Sequence, residues 1–124
     1  MILLAIDPGI HTGVALFDDG TVIETYETTG EPYEVAALIA EETAHVVVIE
    51  RGPPGRVNEY MDELDGWLRA VFPEAHWMYP GEWKGTPRAL QEVTGVPSLH
   101  ARDAVRMGRE FLFRQTLTSL SGHR

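Results

Sequence analysis

Apolar and polar positions along the chain fall into short runs whose period changes several times. Ile2–Ile6 is a continuous apolar run, the signature of a strand buried on both faces, and Pro8-Gly9 ends it. Thr12–Phe17 resumes as a second strand. Asp18-Asp19-Gly20 is a hairpin signal, so Thr21–Glu27 is expected to return antiparallel. Glu31-Pro32 opens a helix carrying Val35, Leu38 and Ile39 on one face, with the proline in the first turn, where its missing N–H costs nothing. His45–Ile49 is a second apolar, β-branched strand, and it closes on Glu50.

Arg51-Gly52-Pro53-Pro54-Gly55-Arg56 is a loop with a basic residue at each end. Val57, Tyr60, Met61, Leu64, Leu68, Val71 and Phe72 then recur at helical spacing until Pro73 stops them. Tyr60, Trp67 and Phe72 are assigned to the core. Ala75–Tyr79 reads as a short strand and Pro80–Gly85 as turns, with Trp83 able either to pack or to stack a base. A short helix from about Pro87 to Val93 precedes a longer one from about Leu99 to Gln115, for which Ser98 is a good N-cap. The tail from Thr116 onward is expected to fray. With no repeat, low-complexity tract or linker, residues 1–124 read as one domain. A hairpin-linked trio of strands leading into βα crossovers predicts an α/β fold, a five-stranded mixed sheet with helices on both faces.

The composition narrows the class. A chain of 124 residues, 44% hydrophobic and 23% charged, has room for one real core. The absence of cysteine excludes disulfides, thiolate metal sites and a cysteine nucleophile. No apolar run approaches the roughly 20 residues that span a bilayer, and the first residues lack the basic start of a secretory leader, so a cytoplasmic protein with no membrane partner is expected. The net charge of −9 argues against a polyanionic partner until it is divided along the chain. Residues 1–50 carry ten acids and no Lys or Arg, whereas residues 84–124 carry seven basic residues against three acids. That basic third is either a solvated helix face or a surface for phosphates.

Asp7 closes the first apolar strand and Glu50 closes the fourth, each just before a loop. In open α/β sheets ligands bind beyond the carboxyl ends of parallel strands, so the two carboxylates converge if those strands are neighbours. His100 and Asp103, three residues apart, share one face of the last helix and flank its apolar stripe of Ala101, Ala104, Val105, Gly108, Phe111 and Leu112. Arg102, Arg106 and Arg109 lie on a different face. Carboxylates brought together without a counter-charge raise one another's pKa, and a divalent cation relieves that conflict. Two such ions roughly 3.5–4 Å apart activate water and stabilise the leaving oxygen in phosphodiester hydrolysis. A histidine beside them ligates, moves a proton or positions the water. His11, His45 and His76 have no partner at a ligand spacing.

Asp7-Pro8-Gly9 with Gly13, Glu50 closing a Val-Val-Val-Ile strand, and His100-Ala101-Arg102-Asp103-Ala104 resemble the RuvC family of Holliday-junction resolvases, within the RNase H-like superfamily. The resemblance implies a sheet of order 3-2-1-4-5. It also implies metal-binding acids at Asp7, Glu50 and Asp103 with His100 as the fourth catalytic residue, and Mg²⁺ or Mn²⁺, two ions, as cofactor. Branched or four-way-junction DNA would be the substrate of a bacterial or phage-encoded endonuclease, with a homodimer as the family's assembly and the Val57–Phe72 helix, with Asp62, Glu63 and Asp65 outward, as the dimer surface the resemblance implies. Arg51, Arg56, Lys84, Arg102 and Arg106 are the candidate contacts to nucleic acid.

Other classes fit less well. An RNA-processing nuclease relative shares the chemistry and would differ by reading the 2′-OH. A non-catalytic nucleic-acid-binding or structural protein on the same fold need not keep the four site residues. A sugar-kinase or actin-like ATPase needs two copies of such a fold, and no Gly-Lys-Ser/Thr phosphate loop is present.

Overall fold

The computed structural model describes residues 1–52 and 58–121. The elements are β1 (Ile2–Asp7), β2 (Thr12–Asp18), β3 (Thr21–Thr28), α1 (Pro32–Ile39), β4 (Val46–Glu50), α2 (Glu59–Val71), β5 (His76–Met78), α3 (Pro80–Trp83), α4 (Pro87–Leu90) and α5 (Leu99–Ser121). The five strands form one sheet of order β3-β2-β1-β4-β5, antiparallel across β3, β2 and β1 and parallel across β1, β4 and β5, as expected. Asp19 and Gly20 turn the β2–β3 hairpin with φ of 47° and 86°, the two positive values that a tight two-residue turn requires.

The sheet is covered on both faces. Leu4, Ile6, Val14, Leu16 and Ile49 pack against Val35, Ala36 and Ile39 of α1 and Leu64 and Leu68 of α2. Leu3, Ala5, Ala15, Phe17 and Val48 pack against α5, with Trp83 and Ala89 filling the same layer. Two glycines let α5 approach. A Cβ on Gly108 would strike the Phe17 ring, and one on Gly13 would strike the His100 carbonyl.

Several expectations are corrected. The buried face of α1 is Pro32, Val35, Ala36 and Ile39, an i, i+3, i+4, i+7 stripe, while Leu38 lies beside it and stays exposed. Trp67 is exposed and its neighbours Leu64 and Leu68 hold the core. Pro80–Trp83 is a helical turn, closed by Tyr79 N donating to Glu82 Oε2 at 2.6 Å, and it buries Trp83 completely. Trp83 is therefore a packing residue and not a platform for bases. The short helix after it stops at Leu90, and α5 runs on to Ser121 without fraying at Thr116, whose hydroxyl donates to the Leu112 carbonyl at 3.0 Å.

Part of the basic carboxy-terminal third is structural. Glu110 is 2% exposed and accepts from Arg88 Nε at 2.5 Å and Arg114 Nε at 3.2 Å, while Arg114 Nη1 also reaches Glu82 Oε1 at 3.3 Å. Burial pushes the Glu110 pKa up, but the hydrogen bonds from Arg88 and Arg114 outweigh it and hold the group below its usual value. These bonds tie α3 and α4 to the middle of α5.

Glu110→Ala should cost about 2 kcal/mol in urea unfolding at pH 7, below the roughly 3–5 kcal/mol of fully buried pairs because Arg114 stays partly exposed. Because the folded pKa is lowered, the carboxylate contributes fully above its ordinary value of 4.5. The difference between the two proteins should therefore shrink as the pH falls below that value.

Candidate active site

The β1–β4 register builds the site. Leu3 to Ile6 pair in parallel with Val46 to Ile49, so Asp7 and Glu50 are the next residues on adjacent strands, at the carboxyl edge of the sheet. Side chains alternate along a strand, and Asp7 shares the face of Leu3 and Ala5 while Glu50 shares that of Val48. Both carboxylates therefore project to the α5 side. Across the other ladder Asp7 pairs with Gly13, and Gly13 lies directly beneath the His100 backbone. The first turns of α5 are thus held over the two acids.

Electrostatics ties the group together. Burial first, then the charges of Glu50 and Asp103, push Asp7 up to about 8 against the opposing charge of Lys84. Glu50 is also raised, by burial first, against the opposing charge of Lys84, with Asp103 raising it again. The indole N–H of Trp83 faces Glu50 without making a full hydrogen bond, and both Trp83 Nε1 and Glu50 Oε2 are buried with no partner.

The predicted site residues are distributed as follows. Asp7, Glu50 and Asp103 share one electrostatic neighbourhood, with His100 one turn before Asp103 on α5. Lys84 stands beside them, its Nζ 5.3 Å from the Trp83 ring centroid, in a cleft of about 280 Å³ that Asp103 and Arg106 also line. Arg106 is bonded to Asp103 Oδ1 at 3.1 Å, so it belongs to the site's edge and not to a separate helix face. Arg102 is spent on the Val96 carbonyl. Arg51 is exposed at the end of β4, 5.3 Å from the Tyr79 ring centroid. Arg56 lies outside the described residues.

Two participants escaped the sequence reading. Asp65 of α2 was expected to face outward, yet its Oδ1 is buried and unpartnered in a cleft of about 250 Å³ shared with Glu50 and Pro8. Helical spacing puts Asp65 next to Leu64 and Leu68 at the border of the apolar stripe, which is the only signal the sequence held. The second is His11, stacked on His100 with centroids 5.6 Å apart.

No protein-family model matches the chain, and no curated protein matches it in sequence. Solved structures do. T. thermophilus RuvC in complex with a Holliday junction substrate superposes with a TM-score of 0.69 over 95% of this chain and 96% of that one, at 16% identity. A second Thermus thermophilus RuvC structure gives a TM-score of 0.65 over 95% and 97%, at 14% identity. The chain has the RuvC fold.

Within that RuvC fold, among the described residues, no three Asp, Glu or His side chains close tightly enough to hold a metal ion as they stand. Asp103 is drawn to Arg106 instead. The donor set nevertheless fits a hard divalent cation: oxygen ligands only, an orphaned buried oxygen on Glu50, and an Asp7 that stays ionised at neutral pH only if a positive charge offsets its neighbours.

In the absence of divalent ions, the folded chain holds a proton on Asp7 that the unfolded chain releases near 3.8. Stability should be fully present below that value and fall as the pH rises toward 8. Asp7→Asn, neutral throughout, should flatten that fall and stabilise the chain at pH 8 by about 2 kcal/mol or more, measured by urea unfolding in chelator.

Proposed function

We propose that the chain is a divalent-metal-dependent endonuclease that hydrolyses DNA phosphodiesters, with branched, four-way junctions as its substrate. The observation that carries this reading is that Asp7, Glu50 and Asp103, from β1, β4 and α5, share one electrostatic neighbourhood at a buried strand end, where burial first and the two neighbouring carboxylates next push Asp7 up to about 8. A structural edge could satisfy such acids with bonded cations. Here a buried oxygen is left without a partner. The RuvC fold supports DNA as substrate, since one of the matching structures is a complex with a Holliday junction.

Asp7, Glu50 and Asp103 would hold Mg²⁺ or Mn²⁺, with two ions as the expected number. Bound there, the cations supply the positive charge that activates water and stabilises the leaving oxygen of a phosphodiester. The chain's own groups do the rest. Burial of Asp7 and Glu50 removes competing water and strengthens their hold on positive charge. Lys84, exposed beside the acids, offers an ammonium to a phosphate oxygen and offsets the repulsion a polyanion meets there. His100, on the exposed rim of α5, is placed to orient the attacking water or to carry its proton. Arg106 holds Asp103 until a stronger cation competes for the carboxylate.

The test is cleavage of labelled four-way junction, flap, linear duplex and RNA–DNA hybrid, with and without Mn²⁺. Junction cutting that requires the metal is expected, and Asp7→Asn or Glu50→Gln should slow it more than about 100-fold. Preferential cutting of flap or hybrid would overturn the junction assignment. A folded chain that cuts nothing would overturn the nuclease reading in favour of a binding module.

Metal binding itself should be visible as stabilisation. Mn²⁺ at about a hundred times its Kd should add roughly 2.7 kcal/mol to the wild-type chain and little to Asp7→Asn, read by thermal or urea unfolding. Equal stabilisation of both proteins would place the metal elsewhere.

A further inference from the structure

His100 sits on an exposed first turn, where nothing in its own helix fixes the ring. A side chain there samples more than one staggered rotamer. Yet the ring is not free. His11, from the β1–β2 turn, stacks on it with centroids 5.6 Å apart and planes within 13°. His11 is held in turn, its Nδ1 lying 3.4 Å from Glu27 Oε2 on β3. Glu27 also accepts from Ser98 Oγ at 2.9 Å, and Ser98 Oγ accepts from Ala101 N at 3.1 Å, capping the same helix turn that carries His100. The contacts close a loop: Ser98, Glu27, His11, His100, and back to Ser98 along α5.

The platform under His11 is stiff. Thr12 is wholly buried, and its hydroxyl donates to the Gly9 carbonyl at 2.9 Å and accepts from Gly9 N at 3.3 Å. Glu27 is fixed by the sheet, where it pairs with Gly13, the residue lying beneath His100. None of this does much for the fold. The His11 side chain is 54% exposed, and exposed ion pairs and single stacked rings each contribute about 1 kcal/mol or less. What the arrangement does decide is where the His100 ring can lie.

We propose that His11, braced by Glu27, is a positioning residue that fixes the ring orientation of His100 beside the carboxylate cluster. The inference rests on the nuclease reading for its effect on rate, but the contact between the rings exists independently of activity. His11 touches neither the acids nor the substrate phosphate in this scheme. It acts only through His100.

The test is a double-mutant cycle on the full chain, reading single-turnover junction cleavage in Mn²⁺ and junction affinity in Ca²⁺. His11→Ala should slow cleavage about tenfold and leave affinity within about twofold, because misorientation of a reacting group costs rate and not binding. His11→Phe keeps a flat ring against His100 and should recover most of the rate. In a His100→Ala background, His11→Ala should cost nothing more. Equal slowing in both backgrounds, or full activity of His11→Ala, would overturn the inference. The ring protons of His100 provide a readout that needs no catalysis. Their NMR resonances should move in His11→Ala and return toward their original positions in His11→Phe. If the wild-type chain cuts nothing, the nuclease reading fails by itself, and unmoved His100 resonances would then overturn the positioning role separately.

Discussion

The parallel register of β1 on β4 is the constraint on which the rest depends. With Ile6 opposite Ile49, the next residue on each strand is a carboxylate, and strand alternation sends both to the α5 side. Slipping one strand by a single residue would turn its acid to the opposite face, against α1 and α2. A slip would also move Leu3 and Ala5 off the α5 layer and Leu4 and Ile6 off the α1–α2 layer, so the fitted packing of both faces holds the register. The cost is concentrated at the strand ends. Asp7 and Glu50 are buried side by side, Lys84 offsets their charge only in part, and Glu50 Oε2 is left without a partner. A fold that served packing alone would place an amide or an apolar residue at one of these positions. That uncompensated charge at the carboxyl edge of the sheet is the physical basis of the proposed cation site.

The strands and the acids were legible because they obey simple periods. Ile2–Ile6 and His45–Ile49 are runs too apolar for any half-exposed strand, and an acid closing each of them stands out against its context. His100 and Asp103 could be paired by spacing on a helix whose apolar stripe is clear. The misses share a cause: they sit where no period operates. Trp83 lies in a four-residue helical turn, too short for a pattern to show which way an aromatic points. In the eight-residue α1, both Ala36 and Leu38 fit helical spacing with Val35 and Ile39, and the period is too short to choose between them. The end of α5 was misjudged because a Thr- and Ser-rich stretch reads as a fraying tail. No Gly or Pro interrupts residues 109–121, and the helix simply continues.

Tertiary pairing is what a one-dimensional charge balance cannot express. Arg88 and Arg114 count as free cations in the sequence, but the structure spends both on Glu110, and Arg102 goes to the Val96 carbonyl. His11 shows the converse. It has no partner at any ligand spacing in the sequence, and it acquires two by the crossing of three elements, Glu27 from β3 and His100 from α5. Such contacts depend on Gly13, whose missing side chain brings the start of α5 down onto β2. A larger residue there would lift the helix and separate the rings, although nothing about a lone glycine in a strand announces this.

The net charge of −9 looks unsuited to a DNA substrate until it is mapped. The acids of the first half lie largely on β3, α1 and the segment after α1, where Glu24, Glu31, Glu34 and Glu41 are exposed, and these elements are separated from the β1–β4 edge by the width of the sheet or by its other face. At the edge itself stand Arg51, Lys84 and Arg106, beside the acids a cation would neutralise. In the proposed function, phosphate contacts at this edge would come from Arg51 and Lys84, with Arg106 already bonded to Asp103. A strongly basic surface would hold every duplex alike, so this charge distribution is consistent with the proposed preference for branched DNA.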